Sequence, residues 1–191
     1  MTGALADAFE GRLAALTRTD RLIASLGSQC AGLVGMLEQE LRAAAGDSSR
    51  YSLEGADVVL DPDCAYALSL LLHELATNAA HHGSLSSPEG HVEVCWRVEE
   101  GDLVLAWTEH GGPRVQRPSS PGFGSLLVSY AAVKLKGSAN LVYLPSGLRC
   151  DLRVSLLAHW PRRRGAMFIE TRTAPSQPRD VTDPAPVTYS P

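Results

Sequence analysis

The stretch from Asp61 to Gly83 leaves this chain little choice of local structure. Asp61 is a helix-capping residue, Pro62 suits the first helical position, and Asp63 sets a negative charge in the first turn, at the positive end of the helix dipole. Leu68, Leu71, Leu72, Leu75 and Ala79 then recur at helical spacing and form one broad apolar face. The spacing predicts a helix that runs to about His82 and stops at Gly83. A face that wide must lie against something apolar, so the rest of the chain has to supply a sheet or a helical layer.

The flanking segments supply strands. Arg50 to Leu53, Val58 to Leu60, His91 to Val98, Leu103 to Thr108, Ala139 to Leu144 and Leu148 to Leu157 read as strands, with Glu99-Glu100-Gly101-Asp102 and Pro145-Ser146-Gly147 as tight turns. A helix is expected from Gly124 to Leu135. Two amphipathic helices, about Leu5 to Leu26 and Ala31 to Ala45, precede all of these, broken at Gly27-Ser28. The order is two helices, then β-β-α-β-β-α-β-β. It predicts an α+β domain with two helices stacked on one face of a mixed, mainly antiparallel sheet. From Pro161 onward the chain holds half of its 12 prolines and no apolar periodicity, so a mostly disordered tail is expected over 161–191, with residues beyond about Thr171 dispensable for stability. The division drawn is 1–46 as a helical segment, 50–160 as one α+β domain, and the tail.

Composition narrows the function classes. The chain has 191 residues, 45% of them hydrophobic, and 17 basic against 21 acidic residues give a net charge of −4. That balance argues against a general nucleic-acid binder. No run reaches the roughly 20 apolar residues that cross a bilayer. No signal peptide is visible, and Cys30, Cys64, Cys95 and Cys150 are scattered without a CxxC pair, as reduced core residues are. The expected compartment is the cytoplasm.

Three elements carry possible chemistry. On the central helix, Glu74, Asn78 and His81 sit at i, i+4 and i+7, on a face other than the leucine face. An asparagine oxygen suits Mg²⁺, which keeps waters and borrows phosphate oxygens. A nearby glutamate can orient or deprotonate a water or hydroxyl. The same three residues also read as a plain solvated face. The second element is Trp107-Thr108-Glu109-His110-Gly111-Gly112-Pro113. A carboxylate at a strand end can accept a hydrogen bond from an exocyclic amine, and the glycines allow close approach of a flat ligand. Trp107 alternates with Leu105 and Leu103, which is a core pattern. The third is Gly122-Phe123-Gly124-Ser125 entering a helix, whose N–H groups suit phosphate oxygens. Arg114 and Arg117 precede it and can reach phosphates or serve solubility. Singly these signals are weak; in this order they assemble a nucleotide pocket.

The sequence resembles the HWE-type sensor histidine kinases. His73-Glu74-Leu75-Ala76-Thr77-Asn78-Ala79 is similar to that family's N box, Trp107-Thr108-Glu109 to its Trp-x-Glu motif, and Gly122-Phe123-Gly124-Ser125 to its second glycine box. The resemblance covers about Leu5 to Leu157, and Phe9-Glu10-Gly11-Arg12-Leu13-Ala14-Ala15-Leu16 is similar to the second helix of the family's dimerising hairpin, so that 1–46 resembles the end of a dimerisation and phosphotransfer hairpin. It implies the Bergerat-type (GHKL) ATP-binding fold shared with gyrase and MutL proteins. It implies transfer of the ATP γ-phosphoryl group to a histidine, then to an aspartate on a response-regulator receiver domain. On that resemblance Asn78 binds Mg²⁺, Glu74 assists phosphoryl transfer and Glu109 reads adenine. Gly111, Gly112, Gly122, Phe123, Gly124 and Ser125 border the nucleotide, with His81, Arg114 and Arg117 near its phosphates. Asp20 stands where the family commonly has His, and His81 where it often has Lys. The family's phospho-acceptor motif, His-Arg-x-Lys-Asn, does not occur in the sequence. The implied partners are therefore a receiver domain and a histidine-bearing hairpin supplied in trans or in a longer gene product, with a homodimer among the assemblies implied. The alternative is a non-catalytic degenerate kinase module that binds a receiver or a kinase.

Overall fold

A computed structural model of the chain describes residues 2–25, 31–114, 128 and 132–156, with α1 side chains described over 9–21. The elements in order are α1 (Thr2–Ser25), β1 (Ala31–Gly32), α2 (Leu33–Ala45), β2 (Tyr51–Glu54), β3 (Val59–Leu60), α3 (Pro62–His81), β4 (His91–Glu99), β5 (Asp102–His110), β6 (Ser138–Leu144) and β7 (Gly147–Ser155). Val128 and residues 132–134 are helical. The expected tail, Cys30, Arg117 and the Gly122–Ser125 box lie outside the described residues.

Five strands form one sheet in the order β2-β4-β5-β7-β6. β2 runs parallel to β4 and the other neighbours are antiparallel, which is the mixed, mainly antiparallel sheet expected. The β4–β5 hairpin turns through Glu100 and Gly101, both at positive φ (53° and 85°), the backbone that a tight hairpin turn requires. Alternation along the strands sends Val92, Val94, Leu103, Leu105, Trp107, Cys150, Leu152 and Val154 inward. They meet Leu68, Leu71, Leu72 and Leu75 of α3 and Leu33, Met36, Leu37 and Leu41 of α2 in one continuous core. The two helices therefore cover one face of the sheet, and the other face is charged: Glu93, Arg97, Arg149 and Arg153 are exposed there.

α3 begins as its sequence dictates. The Asp61 side chain accepts from the backbone N–H groups of Asp63 and Cys64, and Pro62 opens the helix. α2 is tied to that start by a two-residue antiparallel bridge, Ala31 to Leu60 and Gly32 to Val59. The Leu33 N–H donates to the Val58 carbonyl, and the Val34 N–H to Asp57 Oδ1. These bonds satisfy first-turn donors of α2 that no side chain of its own supplies. α1 and α2, grouped together by sequence over 1–46, thus pack differently: α2 shares the core with α3 and the sheet, whereas no described side chain of α1 belongs to it.

Of the four cysteines, Cys64 and Cys150 are buried and free, as expected of core residues. Burial pushes both thiols up to about 12. Cys95 is the exception. It lies on the solvent face between Glu54 and Glu93, because it occupies an outward position of β4.

Candidate functional site

The C-terminal half of α3 and the end of β5 meet at one corner. The Asn78 carbonyl accepts from both the His82 and the Gly83 N–H groups, at 2.9 Å each, and this ends α3 where the glycine predicted it. The Asn78 and His81 side chains are exposed on that last turn.

Glu109 is the fourth inward position of β5, after Leu103, Leu105 and Trp107. The residue is only 2% exposed. Oε2 accepts from the backbone N–H of Ser84 at 2.8 Å, and Oε1 from the Trp107 indole N–H at 3.3 Å. Trp-x-Glu is thus a structural unit: residues two apart on a strand share a face, so the indole stands beside the carboxylate it donates to. Burial pushes the Glu109 carboxyl above its ordinary value, and the bonds from Ser84 and Trp107 only partly offset that. In this arrangement both carboxylate oxygens serve donors of the protein itself.

Glycines let the corner close. A Cβ on Gly83 would lie 2.0 Å from Glu109 Oε2, and one on Gly112 would lie 2.5 Å from Ser84 Cα. Gly111 turns the chain at φ 69° against the Glu89 carbonyl. The loop after β5 and the loop after α3 therefore run in direct backbone contact. Arg114, beyond them, is exposed. Arg50 braces the far side: its guanidinium donates to the carbonyls of Leu85 (3.0 Å) and Ser87, which fixes the loop that carries Ser84. Sequence reasoning missed Arg50, since one arginine at a strand start carries no signal of its partners.

Glu74 stands apart from Asn78 and His81. The three share the predicted spacing, but Glu74 is 6% exposed and lies beneath α1. Arg12 Nε donates to Glu74 Oε1 at 2.5 Å. Beside it Arg18 donates to Glu40 Oε1, and His73 Nδ1 lies 2.9 Å from Glu40 Oε2. His73 is accordingly a structural residue wedged between α1 and α2. Arg12, Arg18 and Glu40 were not singled out by sequence, where they look like ordinary amphipathic-helix charges.

A sheet with two helices on one face, a central helix bearing Glu-x-x-x-Asn, and a strand ending in Trp-x-Glu-x-Gly-Gly at that helix's end define a class: the ATPase domains of the histidine kinase type. The chain belongs to the histidine kinase-like ATPase domain family, which matches residues 15–125. It is 39% identical over 117 residues to blue-light-activated histidine kinase 1 of Erythrobacter litoralis, covering 60% of this chain and 32% of that protein. It is 31% identical over 152 residues to the blue-light-activated histidine kinase of Rhizobium johnstonii, covering 78% and 44%. The chain thus spans less than half the length of these relatives. Its fold is similar to the histidine kinase domain of the Erythrobacter litoralis blue-light activated histidine kinase EL346, with a TM-score of 0.66 at 17% identity over 80% of this chain and 76% of that one. The HWE-type resemblance agrees with these relatives, and the alternative of a non-catalytic module is not favoured. Among the described residues, no helix is long and apolar enough to cross a membrane.

Proposed function

We propose that this chain is the ATP-binding catalytic part of a cytoplasmic two-component histidine kinase, and that it transfers the γ-phosphoryl group of ATP to a histidine on a hairpin outside this sequence. A receiver domain of a response regulator then takes the phosphoryl group on an aspartate. The observation that carries this reading is the corner where Asn78, Gly83-Ser84, Glu109 and Gly111-Gly112 converge within a family-matched domain.

Each residue has a role that its setting supports. Asn78 offers a neutral oxygen on an exposed turn, which suits a Mg²⁺ shared with phosphate oxygens and waters. When bound, that ion would neutralise charge on the phosphates. Glu109 holds the Gly83-Ser84 corner shut against Gly112, forming the wall beside the base; an adenine amine would use lone pairs that Ser84 and Trp107 leave unfilled. Gly111 and Gly112 let the loop after β5 close on the loop after α3, since any side chain there would strike neighbouring backbone, and so they shape the edge against which the nucleotide would lie. His81 and Arg114, exposed near the same corner, together with Arg117 and the Gly122–Ser125 box, would meet the phosphates. In transfer, an imidazole nitrogen bonds to the γ-phosphorus, the bond to the bridging oxygen of ADP breaks, and Glu74 takes up the imidazole proton.

Calorimetry of the full chain with ATP, with and without Mg²⁺, tests the binding half of this reading. Mg²⁺-dependent heat is expected, and no heat at millimolar ATP would reject it. Labelled ATP tests the other half. Little phosphohistidine should form on the chain alone, because positioning supplies most of the catalysis and no positioned acceptor is identified. A separate hairpin bearing His-Arg-x-Lys-Asn should restore the label.

A further inference from the structure

α1 is held to the body in a different way from α2 and α3. Those two reach the core through leucines. Of the described side chains of α1, only Ala15 and Thr19 are buried, and neither joins the continuous core. The Thr19 hydroxyl turns back on its own helix, donating to the Ala15 carbonyl. Phe9 and Leu13, the large apolar residues that a docked helix would normally bury, are 66% and 55% exposed.

Polar contacts do the holding. Arg12 donates to Glu74, Arg18 donates to Glu40 through both Nε and Nη2, and the Tyr66 hydroxyl donates to Asp20. Gly11 lies over the His73 ring, where a Cβ would come within 2.9 Å of Nε2. Beside these contacts a crevice of about 230 Å³ remains, lined by Gly11, Arg18, Glu40, His73, Thr77 and His81. Apolar burial is the main term that makes packing permanent, and ion pairs at a partly wet interface add little. A helix seated on carboxylates over a crevice, with Phe9 and Leu13 turned outward, has the character of a part that comes away.

The carboxylate it sits on matters. A general base has to come within hydrogen-bond reach of the proton it takes. Glu74 cannot do so here, since α1 covers it and Arg12 occupies Oε1. We infer that α1 is a latch: Arg12 masks Glu74, the Arg18–Glu40–His73 cluster seats the helix, and turnover requires Arg12 to be drawn off. This rests on the reading of Glu74 as the base of the proposed reaction and adds its regulation.

Full-length wild type, Arg12→Gln, Arg12→Lys and Arg12→Gln/Glu74→Gln decide it. The first readout is hydrogen exchange. Arg12→Gln should speed exchange across α1 and leave α3 unchanged. The second is hydrolysis of Mg-ATP, in which water bonds to the γ-phosphorus, ADP leaves, and the water's proton passes to Glu74. Arg12→Gln should raise kcat about fivefold or more with KM for ATP unchanged, within the usual range for coupled sites. Arg12→Lys, which keeps a cation, should stay near wild type, and the double variant should lose the gain. Unchanged exchange in α1 would overturn the latch. So would a kcat that stays level or falls in Arg12→Gln while ATP still binds, since Arg12 would then be idle or helpful. A wild type that binds no ATP would reject the nucleotide site instead, and the latch would be judged on exchange alone. If Arg12→Gln does not fold, Arg18→Gln loosens the same helix through Glu40 and is read the same way.

Discussion

Glu109 Oε2 accepts a hydrogen bond from the backbone N–H of Ser84 at 2.8 Å, across 25 residues of sequence. That one contact joins the last inward position of β5 to the loop that leaves α3. It explains why a carboxylate stands where the alternation of Leu103, Leu105 and Trp107 calls for a hydrophobe. The corner has an unpaired backbone donor, and a carboxylate in the strand satisfies it.

Glu109 should make stability pH-dependent in a specific sense. Its carboxyl is raised above its ordinary value of 4.5 by burial. The folded state therefore holds the proton more tightly than the unfolded chain does. The stabilising contribution is fully present below the unfolded value and is lost as pH rises through the folded one. Urea unfolding of wild type and Glu109→Gln at a series of pH values checks this. The wild-type advantage over the variant should shrink as pH rises from about 4, and a constant difference would contradict it.

Glu40 should act in the opposite direction. Burial works against its charge, yet hydrogen bonds from His73 and Arg18 outweigh that and hold the carboxyl below 4.5. Its contribution is present above the unfolded value and is lost as pH falls through the folded one. Because Glu40 seats α1, exchange of α1 amides should quicken relative to those of α3 as pH drops below about 4.5, after correction for intrinsic rates. Glu40→Gln should flatten that dependence.

Two glycines should fail for different reasons. Gly83→Ala forces a Cβ to within 2.0 Å of Glu109 Oε2 and 2.9 Å of Ala79 Cα. Overpacking of this kind costs about 1–3 kcal/mol. Gly46, the C-cap of α2 at φ 70°, has nothing within 4 Å of its added Cβ, so Gly46→Ala pays only for left-handed backbone, about 1–2 kcal/mol. Asparagine tolerates that backbone. Gly46→Asn should therefore recover much of the loss in thermal melts, whereas Gly83→Asn should not.

Asn78→Ala tests the metal role. The side chain is exposed at the end of α3, so the change should leave the melting temperature within a few degrees of wild type. Calorimetry should then show ATP binding that no longer responds to Mg²⁺. Retention of a full Mg²⁺ effect would move the ion to other ligands.

What could be read without coordinates was local. The start of α3 at Asp61-Pro62, its stop at Gly83 and the Glu100-Gly101 turn all came from signals within a few residues, because capping and φ are short-range properties. The leucine face of α3 and the alternation of Leu103, Leu105 and Trp107 on β5 named the centre of the core, and the order of the elements implied the sheet. The spacing of Glu74, Asn78 and His81 put the candidate site on α3. The alternation that marks Trp107 as core marks Glu109 too, as the next inward position of β5.

The remainder depended on residues far apart in the chain. Glu74 and Asn78 share a spacing, yet one is covered and the other open, because α1 lies over only part of α3. No pattern within α3 encodes Arg12, 62 residues earlier, as the partner of Glu74. Arg50 and the Glu40 cluster were silent for the same reason. Periodicity tells which face of an element is apolar. Only the packed structure decides which charges are taken out of water and what pairs them, since desolvation belongs to the whole arrangement of elements and not to any one of them.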